Sequence, residues 1–122
     1  MRKLLLPLLF LSLIGCESEV QKPTIVVDNQ LKDISFSRLD SRYESSNGQH
    51  HVYALLKHNG KKRLKYLQMN AIYYNANGKE IARSIGGLKY ELMPGDSDVV
   101  ENTWLFPTTA DLPTKIVLNA TN

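Results

Sequence analysis

Three histidines, His50, His51 and His58, are the first residues whose chemistry invites a metal or acid–base reading. Neighbouring side chains in an extended strand face opposite sides, so His50 and His51 do not converge on one ion. His50 and His58 share a side but stand about 26 Å apart at roughly 3.3 Å per residue. The spacing predicts solvated histidines at strand ends and no metal site. Carboxylates occur singly or in turns, as in Asp28 and Asp96-Ser97-Asp98, so no pair is placed for glycoside chemistry. No serine stands in a Gly-x-Ser-x-Gly elbow. Gly86-Gly87 has neither the flanking spacing nor the Gly-Lys-Ser/Thr of a phosphate loop. The expectation is a protein that is not an enzyme and uses no cofactor.

The densest charge lies elsewhere. Lys57, Lys61, Lys62, Arg63 and Lys65 surround Asn59-Gly60. One reading is a solvated hairpin loop whose charges discourage edge pairing. The other is a surface for anionic partners, such as lipid headgroups, lipopolysaccharide phosphate or an acidic protein face, with Tyr66 adding contact area. Trp104 falls in a run where Val100, Asn102, Trp104 and Phe106 share one side, which predicts core packing.

What positions these residues is limited by size. The chain has 122 residues, 43% apolar and 22% charged, with a single cysteine. That supports one small domain without an internal disulfide, a Cys-based zinc site or an iron–sulfur cluster. Arg2 and Lys3 precede an apolar run from Leu4 to Ile14, a secretory signal too short to span a bilayer. Leu13-Ile14-Gly15-Cys16 resembles the bacterial lipobox, in which the cysteine becomes the lipidated first residue of the mature chain. That resemblance implies a lipoprotein held by fatty acyl chains such as palmitate, each buried CH₂ contributing about 0.8 kcal/mol. Glu17 stands where inner-membrane retention usually has Asp, which implies the outer membrane, facing the periplasm. Loss of Arg2 and Lys3 with the leader lowers the 15 basic residues to 13 against 12 acidic ones, and the net charge from +3 to +1. A nucleic-acid role loses its electrostatic support.

Beyond residue 30, short β-rich runs alternate with turn residues, the pattern of an all-β sandwich. The expected strands are Lys32 to Arg38, His50 to His58, Leu64 to Tyr74, Glu80 to Leu88, Asp98 to Phe106 and Lys115 to Asn119. Thr24 to Val27 could add an edge strand, although Pro23 suits a boundary better than a ladder interior. The turns are Ser45-Ser46-Asn47-Gly48, Asn59-Gly60, Asn77-Gly78, Pro94-Gly95 and Pro107 to Pro113. Alternation places Leu67, Met69, Ala71 and Tyr73 in the core, with Val52, Ala54 and Leu56 facing the same interior.

The series Leu56-Lys57-His58-Asn59-Gly60, Leu64, Leu67, Met69, Ala71, Tyr73-Tyr74-Asn75, Asn77-Gly78-Lys79 and Leu92-Met93-Pro94-Gly95 resembles the FxLYD-type module of secreted and lipid-anchored bacterial proteins. The likeness spans roughly residues 32 to 106. By spacing from Leu64, the family's strand-end Asn falls on His58 and its Asp on Asn75. A second resemblance, to small YcfL-like periplasmic lipoproteins, rests on the Tyr73-Tyr74 hairpin, Pro94 and Lys115-Ile116-Val117-Leu118. The first likeness implies an immunoglobulin-like β-sandwich, and neither brings an agreed activity. The expected organisation is a signal peptide over 1–15, a lipidated tether over 16–30 and an immunoglobulin-like domain over 31–122. The expected role is a non-catalytic accessory module docking another envelope protein, with capture of a small envelope ligand in an inter-sheet or loop-end pocket as the alternative.

Overall fold

The computed structural model describes residues 22–122. The leader and Cys16 lie outside the described residues. Seven strands succeed one another: β1 (Thr24–Asn29), β2 (Ile34–Glu44), β3 (Gln49–His58), β4 (Gln68–Tyr74), β5 (Glu80–Gly87), β6 (Ser97–Leu105) and β7 (Lys115–Thr121). They form a four-stranded sheet ordered β1-β7-β4-β5 and a three-stranded sheet ordered β2-β3-β6, packed face to face. The all-β sandwich expected from the turn spacing is what the chain adopts.

Alternation decides which sides are buried. Leu67, Met69, Ala71 and Tyr73 are buried as expected, against Val52, Ala54 and Leu56 from the other sheet and Ile116, Leu118 and Ala120 from β7. Each large apolar side chain so buried contributes about 1.5–3 kcal/mol. Three turns contain a glycine at positive φ, at Gly48, Gly78 and Gly95, as the turn signals require. Asn75 Oδ1 accepts from the N–H groups of Asn77 (2.9 Å) and Lys79 (3.0 Å), which closes the β4–β5 hairpin.

The seam between β5 and β6 is polar. Asn102 Nδ2 donates to the Met69 carbonyl at 3.0 Å and lies 3.2 Å from Ser84 Oγ, which shares a 3.0 Å hydrogen bond with Tyr73 Oη. Burial pushes the Tyr73 phenol above its ordinary pKa. Gly86 permits the close approach, since a Cβ there would stand 2.5 Å from the Glu101 carbonyl oxygen.

Several expectations need correction. Thr24–Asn29 is a strand, paired in parallel with β7 over six positions, so the sheet begins inside the 16–30 segment read as a tether. Pro23 sits just before the ladder and removes no hydrogen bond from it. Strand β2 runs on to Glu44, through an irregularity between Ser37 and Asp40 where Arg38 takes φ of +52°. The Asn59-Gly60 turn does not make a hairpin, because β3 and β4 belong to different sheets and residues 59–67 cross between them. Leu64 accordingly leaves the strand and forms an isolated bridge with Leu92. Trp104 is 42% exposed, since β6 is the edge strand of the three-stranded sheet.

The division into four and three strands equals that of a constant-type immunoglobulin sandwich, whose sheets contain strands one, two, five and four, and three, six and seven. The β3–β6 and β4–β5 pairings agree with that order, whereas β2 and β7 occupy each other's sheets.

Candidate functional site

Strand β3 ends at His58, a residue that fastens the neighbouring loops through both its backbone and its ring. The His58 N–H donates to the Asp96 carbonyl at 2.9 Å, and its own carbonyl accepts from the Gly95 N–H at 2.8 Å. The next amide, Asn59 N–H, donates to the Asp33 carbonyl at 2.7 Å. Three connections, β1–β2, β3–β4 and β5–β6, are thereby joined at one end of the sandwich. The buried imidazole completes the junction: Nδ1 accepts from the Gly60 N–H at 3.3 Å, which leaves Nε2–H to donate to the Lys62 carbonyl. A residue larger than glycine at position 60 would press on this ring, with its Cβ 2.8 Å from His58 Cε1.

The pinned backbone presents the basic side chains outward. Lys57, Lys61, Lys62, Arg63 and Lys65 are all exposed, and Tyr66 is 60% exposed. Arg63 Nε lies 3.4 Å from Glu91 Oε1. Lys61, Lys62 and Arg63 line a cleft of about 570 Å³ together with Lys32, Asn59 and Leu31. The structure therefore brings three of the expected residues together and adds Lys32 from the β1–β2 turn. Lys57, Lys65 and Tyr66 stand outside that cleft. Lys32 is remote in sequence, and only the turn bearing Asp33 at φ of +64° returns it to this end.

All three histidines are buried, which overturns the expectation of solvated rings. His51 lies between carboxylates from the flanking strands, with Glu44 Oε1 2.7 Å from Nε2 and Glu101 Oε2 2.8 Å from Nδ1. Thr103 Oγ1 is 3.2 Å from Nδ1 and 3.1 Å from Glu101 Oε2. The set resembles a hydroxyl–imidazole–carboxylate relay, yet a carboxylate faces each ring nitrogen, so neither is turned toward an open substrate position. The carboxylates flank the ring on different sides and do not converge on one point. Among the described residues, no group of three or more His, Cys, Asp or Glu is placed to hold a metal ion. The cluster is a staple that joins all three strands of its sheet.

His50 packs in the core among Tyr43, Tyr73 and Phe106, with centroid distances of 6.4, 6.1 and 6.0 Å. Its Nδ1 is buried without a hydrogen-bond partner. Desolvation, with the neighbouring His51 adding to it, lowers its pKa to about 4.

No protein-family model matches the chain, and no curated protein or solved structure does so. The site is therefore read from its own chemistry. The basic end offers exposed cations on a rigid backbone around an open cleft, an arrangement suited to recognising anionic groups.

Proposed function

We propose that this chain is a lipid-anchored, non-catalytic binding module of the bacterial envelope, attached through Cys16 to the outer membrane and facing the periplasm. Its partner is an anionic face of another envelope protein. The observation that carries this reading is the meeting of Lys32, Lys61, Lys62 and Arg63 around one cleft, on a loop pinned by His58. The immunoglobulin-like reading of the sandwich belongs to the same proposal; the layer count and the β3–β6 and β4–β5 pairings support it. A small anionic ligand in the same cleft is the second reading, favoured by its volume of about 570 Å³.

Replacing Lys61, Lys62 and Arg63 by Ser tests the proposal. Exposed loop charges contribute little to stability, so the triple variant is expected to keep the parent's unfolding midpoint. Crosslinking and affinity capture of the membrane-anchored protein should then yield at least about tenfold less partner, with a flatter dependence on salt. Unchanged capture and salt response in the folded variant would show the loop to be merely solvated.

A further inference from the structure

The outer face of the four-stranded sheet carries two asparagines where a sheet is least suited to hold them. Asn70 in β4 and Asn119 in β7 are directly paired in the antiparallel ladder, in the two central strands. Both point outward, alternating with the buried Met69 and Ala71 on one strand and Leu118 and Ala120 on the other. Asparagine is depleted in strands, in part because its amide competes for backbone hydrogen bonds. Two facing each other therefore break the local preference, and such breaks concentrate where function overrides folding. The pair does not satisfy itself, since Asn119 Oδ1 is buried with no hydrogen-bond partner.

Asn70 also ends a row of polar side chains. Tyr66 Oη donates to Gln68 Oε1 at 3.0 Å, and Gln68 Nε2 donates to Asn70 Oδ1 at 2.9 Å. Gly87, the ladder partner of Gln68, has no side chain to cover it. Gln68 and Asn70 line a groove of about 600 Å³ that reaches Arg83, Thr103 and the exposed Trp104 across the β5–β6 seam. Arg83 is held by Glu80 through bonds of 2.5 and 2.9 Å, so the groove presents little free charge.

We propose that this groove binds a neutral oligosaccharide. One ring lies against the Trp104 indole, a residue 42% exposed, while the amides of Gln68 and Asn70 donate to and accept from sugar hydroxyls. The surface is distinct from the basic end, and its ligand differs in charge.

Trp104 is the only tryptophan, so its fluorescence reports on the groove directly. Titration of the folded domain with tri-N-acetylchitotriose or cellotriose is expected to give a saturable shift in emission at millimolar sugar, unaffected by salt between 50 and 500 mM. By calorimetry, Trp104→Ala should abolish the binding. Asn70→Thr should weaken it at least tenfold while leaving the unfolding midpoint equal or higher, because threonine suits a strand better than asparagine. The proposal is overturned if neither sugar gives a saturable response, if binding survives Trp104→Ala or is weakened less than tenfold by Asn70→Thr, or if the emission change tracks protein concentration and so reports a dimer.

Discussion

Met69→Asp is expected to unfold the domain. Met69 is 1% exposed and lies in the core between the sheets, so the new carboxylate would be buried without a partner. The effective penalty is several kcal/mol, against a total stability of about 5–10 kcal/mol for a domain this size. Gln68→Asp, one position away on the opposite face, should lose under about 1 kcal/mol. Urea unfolding followed by circular dichroism separates the two. Similar losses at both positions would contradict the alternation on which β4 is built.

The domain is also expected to weaken in mild acid because of His50. Its folded pKa of about 4 lies below the ordinary 6.5, so between those values the unfolded chain binds the proton that the folded chain refuses. Stability is therefore full above about pH 6.5 and falls as pH drops toward 4. The shift corresponds to a loss of about 2 to 3 kcal/mol. Asp40 and Glu80, whose pKa values are lowered by hydrogen bonds from Lys22 and Arg83, lose their contributions at lower pH, below their ordinary values of 3.8 and 4.5. The window above pH 4.5 thus belongs to the imidazole among the groups with shifted values. His50→Phe should flatten the urea midpoint between pH 7 and pH 4.5. It should also raise the midpoint at pH 7, since the orphaned Nδ1 is replaced by carbon in an aromatic surrounding. A parent midpoint that does not move with pH, or a slope retained in His50→Phe, would assign acid sensitivity to other groups.

How much of this could be read in the sequence depends on how local the cause is. The period-two run from Leu67 to Tyr73 is decided by neighbours on one strand, and its burial followed from the pattern alone. Asn59-Gly60 was legible as a turn, but the same turn chemistry serves a hairpin and a crossover between sheets. Only pairing partners distinguish the two. The histidines were misplaced for a similar reason: Glu44 and Glu101, which make burial of His51 tolerable, come from different strands. Trp104 has the alternation of a core residue, and its exposure follows from β6 lying at a sheet edge, a property of strand order. In the cleft, Lys61, Lys62 and Arg63 announce themselves by clustering, whereas Lys32 joins them only through the backbone contact between Asp33 and Asn59.

The direction of β1 has a mechanical consequence. Thr24 lies beside Lys115 at one end of the sandwich, and β1 runs toward the turn that lines the basic cleft at the other. Eight positions separate Cys16 from Thr24, a reach of at most about 29 Å when extended. Were the proposed lipid on Cys16 to pull at Thr24 while a partner gripped the opposite end, tension would run along the strand axes. It would pass from β1 to β7 through a parallel ladder of six positions, whose evenly spaced, slanted hydrogen bonds would share it. Such bonds must shear together, whereas a strand peeled from its end would lose them one at a time. Strand β1 is thus the element through which a stretched anchor would transmit force to the domain.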